Sequence, residues 1–374
     1  MRNFRRYLAC TLIAASALLA GGTTTAAEYR LKVVAEGLEF PWSLAFLPND
    51  EMLLTERVGR LRMIRDDDLI EYDVRGVPDV YAKGQGGLFD VLVDPDFHNN
   101  ERIYLSFSAG TSSSNALHVV SARLDGSTLH DITTILTVEP TKNTPHHFGG
   151  RMAMLPDRTL LVTSGDGFDF REQAQSLESL LGKVLRINTD GTIPDDNPFV
   201  GRSDARDEIL TYGNRNPQAI VVTRAGTIWL HEHGPQGGDE LNLIIPGNNY
   251  GWPAITYGMD YSGAYVSPFA EADGMQQPVV DWTPSIAPAG MAEYQGAEFP
   301  QWQGNLFVAA LAEKTVRRLS LDGDSVVAQE IMFTELDTRF RDVRTGPDGY
   351  LYLLTDSNPG TVYRITPVGL EESQ

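Results

Sequence analysis

One short pattern recurs along this chain and limits what it can fold into. A turn of Pro, Asp, Asn or Gly leads into an apolar or alternating run that often ends in threonine. Leu47-Pro-Asn-Asp-Glu-Met-Leu-Leu-Thr55 and Leu155-Pro-Asp-Arg-Thr-Leu-Leu-Val-Thr163 are two copies. Thr223-Arg-Ala-Gly-Thr-Ile-Trp-Leu230, Gln303-Gly-Asn-Leu-Phe-Val308 and Gly346-Pro-Asp-Gly-Tyr-Leu-Tyr-Leu-Leu-Thr355 are three more. Such turns reverse the chain, and the runs have strand length. Residues 86–124 supply further strands around Val91, Ile103 and Val119, and runs such as 60–64, 316–321 and 361–365 complete four-stranded units. Six units of about 58 residues lie near the larger propeller repeats. The expectation is an all-β, six-bladed β-propeller of four-stranded antiparallel blades. Residues 29–35 are expected to close the ring against the last blade and cover its edge. The uneven spacing leaves a β-sandwich pair or another all-β array open. Only 172–181 reads as a short helix or helical turn.

The chain starts with Arg2, Arg5 and Arg6, then an apolar run from Tyr7 to Ala20 and small residues to Ala27. That order reads as a secretory signal over 1–27, too short for a stable membrane span. Residues 28–374 then form one propeller domain, exported and periplasmic or secreted. The single cysteine, Cys10, lies in the signal, so the mature chain has no disulfide and no thiolate site. The formal charge is −20, and about −23 without the signal arginines, a surface that repels nucleic acid and anionic lipid. Clustered arginines in such a chain need a local reason. Acidic surplus is compatible with calcium sites or with a merely solvated surface.

Tyr212-Gly-Asn-Arg-Asn-Pro-Gln218 sets an arginine beside an amide, and Arg339-Phe-Arg-Asp342 sets two arginines on one face of an extended segment. They could receive a polyanion through bidentate contacts, or pair with acids such as Asp342 and Glu240. Pro145-His-His-Phe-Gly-Gly-Arg151 holds adjacent histidines that, if extended, point to opposite faces. Histidine has the ordinary pKa of a general base. His231-Glu-His-Gly-Pro-Gln-Gly-Gly-Asp-Glu240 offers two histidines on one face without an evident third zinc ligand. It also offers turn carbonyls and the carboxylates of Asp239 and Glu240, hard donors that suit calcium. Gly84-Gln-Gly-Gly87, Ser164-Gly-Asp-Gly167 and Trp282-Thr-Pro-Ser-Ile-Ala-Pro288 are weaker segments of the same kind.

Taken in order, Gly-Gln-Gly-Gly, His-Phe-Gly-Gly-Arg, Arg-Asn-Pro-Gln, Glu-His-Gly-Pro and Arg-Phe-Arg-Asp-Val resemble the soluble aldose sugar dehydrogenases that use pyrroloquinoline quinone (PQQ), in the glucose/sorbosone dehydrogenase family. The resemblance runs from Phe40-Pro-Trp-Ser to Tyr350-Leu-Tyr-Leu-Leu-Thr355. It implies a six-bladed propeller with PQQ at one end of the axis, calcium, an aldose substrate and an external electron acceptor. By the spacing of the family motif before Gly150-Arg151, His147 corresponds to the general base. Arg215 corresponds to the group beside the reacting quinone carbonyl, with Asn216 next to it. Gln85, Arg339 and Arg341 would hold the cofactor. Gly234 and Pro235 would offer carbonyls to the calcium on PQQ, and Glu240 and Tyr250 would serve a second, structural calcium. Asp166 would lie near the base, and Gln85, Asp166 and Trp282 near the sugar.

The match has departures. Ala312 stands where a PQQ-contacting lysine is familiar, and Lys314, two residues on, is expected to replace it from the same strand face. His146 stands where an acid or amide is familiar. Blade insertions are short, which suggests an open cleft. Two rivals remain: a sugar-lactone hydrolase using Asp239 and Glu240 around an axial calcium, and a non-catalytic propeller that binds sugar or a partner protein. Arg339 and Arg341 weigh against the first, because a neutral lactone does not need them. His147 weighs against the second.

Overall fold

The structure, a computed structural model, describes residues 29–368; the signal segment 1–27 and Cys10 lie outside them. Among the described residues, twenty-four strands form six four-stranded antiparallel sheets. Five sheets are built from consecutive strands. The sixth joins Phe340–Thr345, Leu351–Thr355 and Gly360–Pro367 to the first strand, Tyr29–Leu38. That strand pairs from Tyr29↔Pro367 to Leu38↔Gly360 and closes the ring as expected. The six inner strands, Pro41–Phe46, Leu88–Val93, Gly149–Met154, Pro217–Val222, Pro288–Glu293 and Phe340–Thr345, contact one another in a closed cycle around the axis. The arrangement is a six-bladed β-propeller, with blades one to six numbered in the order of these inner strands.

The apolar runs found in the sequence are mostly second strands. Met52–Glu56, Leu160–Ser164, Leu306–Ala310 and Leu351–Thr355 are buried at every position. Each lies in a blade covered by a neighbour on both faces, so alternation gives way to continuous apolar sequence. Outer strands have one wet side; Ser325–Met332 is exposed at most positions. The core is accordingly shared between blades: Trp42, Tyr104, Leu160 and Ile187 belong to one cluster, and Phe307, Phe340 and Leu353 to another.

Antiparallel pairing has a consequence for function. Each inner strand begins at the end of the axis where its neighbouring second strand finishes. The residues just before inner strands and just after second strands therefore meet at one mouth.

Further along the axis the inner strands carry a buried ion network. Arg344 donates to Asp90 Oδ1 at 2.9 Å and to Asp342 Oδ2 at 2.8 Å. Arg151 lies 3.1 Å from Asp342 Oδ1 and packs its guanidinium over Trp42 at 3.9 Å. With Asp90 3.5 Å away and Gln218 O accepting from its Nε at 2.9 Å, the arginine of the His-His-Phe-Gly-Gly-Arg segment ties its own blade to four others.

The helix expected over 172–181 is reduced to a 3-10 turn at Arg171–Gln175. Leu180 N–H donates instead to Glu139 O, and Leu177 O accepts from Arg206 N–H, both at 2.8 Å. Neighbouring segments take the groups a helix would use. A single unexpected α-turn occurs at Phe97–Asn100. Blade four carries a long loop, 244–279, between Asp239–Leu243 and its outer strand Val280–Trp282.

Candidate active site

A cavity of about 230 Å³ opens at the mouth, next to the ion network. Trp42, Phe89 and Phe148 supply its apolar wall; Gln85, Asn216 and His233 supply polar groups. Three guanidinium groups face it: Arg57, Arg339 and Arg341. Arg341 donates through Nε and Nη2 to Asp356 Oδ1 at 3.1 and 3.0 Å. Arg339 donates to Asp356 Oδ2 at 3.1 Å and to Leu311 O at 3.3 Å. Arg57 donates to Gly84 O at 3.1 Å. Burial pushes the Asp356 carboxyl up, but Arg341 and Arg339 outweigh it and hold the group below its ordinary range. Burial and then the like charge of Arg341 lower the Arg57 guanidinium. Three cations around one carboxylate leave a positive surplus that suits an anion with several carboxylates.

His147 sits beside this cavity, buried. Its Nδ1 is 2.7 Å from Asp166 Oδ1, and its backbone N–H donates to Gln85 Oε1 at 2.8 Å. Asp166 also accepts from Trp252 Nε1 at 2.7 Å and from Phe168 N–H at 2.8 Å. With Nδ1–H directed at the carboxylate, Nε2 carries the lone pair. Burial lowers the imidazole pKa, against the opposing pull of Asp166, so the ring is neutral at neutral pH. The histidine pair is not extended, as the sequence suggested: His147 has φ of 50°, and both rings meet Phe168, at 5.5 Å for His146 and 5.0 Å for His147. The left-handed turn, not strand alternation, separates their roles. Only His147 reaches Asp166.

Arg215 and Asn216 enter between blades three and four. Asn216 Oδ1 accepts from Gly149 N–H at 3.2 Å. Arg215 Nη1 donates to Gly234 O at 2.6 Å and His233 O at 3.2 Å. The Gly234 carbonyl keeps a second lone pair for a cation. Asp239 serves the loop: its carboxylate accepts from Gly234 N–H at 2.9 Å and Ala287 N–H at 2.8 Å. His233 Nε2 is 2.7 Å from Pro288 O, and burial lowers its pKa to about 4. His231 is buried with neither ring nitrogen hydrogen-bonded.

Glu232 and Glu240 face each other across adjacent strands. Burial raises Glu232 to about 7; burial and then the Glu232 charge raise Glu240 well above its ordinary range. Asn214 donates to Glu232 at 2.7 Å and Asn242 to Glu240 at 3.2 Å, and each amide leaves its own oxygen buried without a partner. Two confined carboxylates with two orphan oxygens fit an oxygen-ligated cation. The Tyr250 hydroxyl is engaged with Leu243 O and Ile245 N–H, so only its carbonyl is available as a donor. Among the described residues no three His, Cys, Asp or Glu side chains form a metal cluster; backbone and amide oxygens would have to complete either calcium sphere.

Gln85, His147, Asp166, Arg215, Asn216, Gly234, Arg339 and Arg341 are thus gathered around the mouth, and Pro235 lines an adjoining cavity with Arg215. Trp282 is not with them. It is buried with Leu241 and Leu319, and its Nε1 donates to Gln329 at 3.0 Å. Lys314 lies in the turn after Leu306–Ala310 with φ of 60°, not on a strand face, and pairs with Asp337 at 2.8 Å. Sequence reading missed Arg57, Asp356, Trp252 and Phe168, and considered His233 only as a zinc ligand. A signal existed: Arg57, Asp166, His233, Leu311 and Asp356 each follow a second strand, and His147, Asn216, Ala287 and Arg339 each precede an inner one.

The model of the family described as Glucose / Sorbosone dehydrogenase matches residues 38–364. The aldose sugar dehydrogenase YliI of Escherichia coli is 44% identical over 349 residues, covering 91% of this chain and 94% of that protein. The crystal structure of the soluble aldose sugar dehydrogenase of E. coli in its apo-form superposes with a TM-score of 0.88 at 42% identity, covering 91% and 99% of the two chains. The PQQ-bound form of an aldose sugar dehydrogenase from Streptomyces coelicolor gives 0.74 at 28% identity, with the same coverage. The chain belongs to the glucose/sorbosone dehydrogenase family of sugar-oxidising β-propellers.

Proposed function

We propose that this protein binds PQQ in the axial cavity, with calcium, and oxidises aldoses at the anomeric carbon to lactones. The observation that carries this reading is the surplus of three arginines over one carboxylate beside a buried His–Asp pair. PQQ is a tricarboxylate ortho-quinone and, when bound, supplies the acceptor for the hydride lost from the sugar.

Arg57, Arg339 and Arg341 bind its carboxylates. Gln85 and Asn216 orient it from the wall, and Gln85 also fixes the His147 backbone. Asp166 holds the His147 tautomer, so that Nε2 takes the anomeric hydroxyl proton. Arg215 offers positive charge next to the Gly234 carbonyl, where Gly234 and Pro235 would present oxygens to calcium. Glu232, Glu240 and the Tyr250 carbonyl would hold the second calcium. Ala312 stands at the lysine position, and Lys314 is paired with Asp337 and does not line the cavity. Electrons pass to an external acceptor. The basic and apolar start of the chain supports export to the periplasm.

Purified protein given PQQ and calcium should reduce a redox dye with glucose and other aldoses. Lactone hydrolysis without dye reduction would overturn the reading.

A further inference from the structure

A cavity of about 740 Å³ opens at the opposite end of the axis from the mouth. Its wall includes Val93, Met154, Val222, Glu293 and Thr345, the last residues of the inner strands of blades two to six. The mouth lies where those strands begin, so the ion network separates the two cavities. Arg341 lines the first and Arg344 the second. The proposed oxidation makes no use of this far cavity, yet its volume falls within the ~300–1,000 Å³ of ordinary small-molecule pockets.

Floor, wall and rim each limit what the far cavity can hold. The floor carries a donor without a partner. Arg344 donates through Nε to Asp342 and through Nη2 to Ser43 Oγ and Asp90. Its Nη1 makes no hydrogen bond among the described residues and is not sealed from solvent. The wall is apolar and adaptable. Met152, Met154 and Met291 line it, and thioethers make favourable contacts with aromatic rings. A guanidinium also stacks on flat rings. The rim is acidic, with Glu293, Glu298 and Asp348 against Arg224. The Arg344 charge is already matched inside the network, where two arginines meet two aspartates. An anion therefore meets net repulsion on entry. The floor donor suits a neutral acceptor such as a carbonyl oxygen. We infer that the far cavity is a binding site for a small, neutral, aromatic carbonyl compound of the quinone class, its ring among the three methionines and one carbonyl on Arg344 Nη1. The site stands apart from the sugar oxidation proposed at the mouth.

The probe is menadione, a neutral naphthoquinone, titrated by calorimetry into the purified protein with and without PQQ and calcium. One menadione per chain should bind in both conditions. Naphthoate, an anion with the same ring system, should bind about ten-fold more weakly or worse, because the rim repels it. Methylnaphthalene, which has the ring but no carbonyl, should bind about five-fold more weakly, the scale of one lost hydrogen bond. Met154→Trp and Val222→Trp fill the cavity from two different blades. Each should lower menadione affinity about ten-fold or more, since an indole takes up the ligand's space, and should leave PQQ binding at the mouth unchanged. The site would be overturned by absence of menadione binding, by displacement of menadione by PQQ, or by unchanged affinity in a folded tryptophan variant. Naphthoate or methylnaphthalene binding as tightly as menadione would overturn the ligand class. A protein that binds menadione at this end but takes up no PQQ would sink the proposed activity and leave the far site standing.

Discussion

Two arginine–aspartate clusters lie on the same axis, and their charge balance differs. In the interior network Arg151 and Arg344 are set against Asp90 and Asp342, with Arg344 half-buried and the other three buried. At the mouth Arg339 and Arg341 share Asp356, and Arg57 adds a third cation bonded only to the Gly84 carbonyl. The first cluster is charge-balanced by itself and ties together inner strands of blades one, two, three, four and six. The second carries a positive surplus. Arginine count does not separate the two; the balance of charge does. On the proposed function, the interior network serves stability and the mouth serves binding.

The largest expected effect falls on chemistry at the mouth. His147→Ala should slow reduction of bound PQQ by sugar about 100- to 10,000-fold in a single turnover, the usual cost of a lost general base. His146→Ala should not, since it lacks the Asp166 contact. A larger loss in His146→Ala would move the base to the wrong ring.

Next comes the interior. Arg151→Ala leaves Asp342 and Asp90 short of a partner and removes the guanidinium from Trp42. Breaking a buried ion network costs about 3–5 kcal/mol, read as a lower unfolding free energy of the PQQ-free protein. A neutral result would remove the distinction between the clusters.

A smaller effect, of the opposite kind, is expected at the mouth. Arg341→Ala should weaken PQQ binding by about 1.5–3 kcal/mol, the scale of one charge-assisted hydrogen bond. Its cost to the PQQ-free protein should be under half that of Arg151→Ala, because the like charges of Arg57 and Arg339 are relieved. Equal destabilisation by both variants, with PQQ affinity intact, would make the mouth cluster structural as well.

The division between stability and binding also explains what could be read without coordinates. Blade repeats were legible because burial on both faces writes continuous apolar strands, as in Leu351–Thr355. The closing strand was legible because an open edge demands a partner. The gathering of residues at the mouth was legible where a motif carries them, as for His147 and Arg341. Arg57 and Asp356 were not, since each follows an ordinary strand and acquires meaning only when the ring brings blades one and six together. Trp282 misled because an aromatic beside a turn reads the same in a cleft and in a core. Lys314 misled because strand alternation fails in a turn with positive φ. The helix at 172–181 was lost to contacts from Glu139 and Arg206 that no local window contains.

The most direct test of the unbalanced mouth is a titration of the purified protein with PQQ, once with calcium and once after chelation, followed by calorimetry or by the cofactor absorbance. Tight binding of one PQQ per chain with calcium, and a large loss of affinity after chelation, is the predicted result. No binding in either condition would contradict the assignment of the three arginines to a polyanion, and equal binding in both would contradict the metal's role.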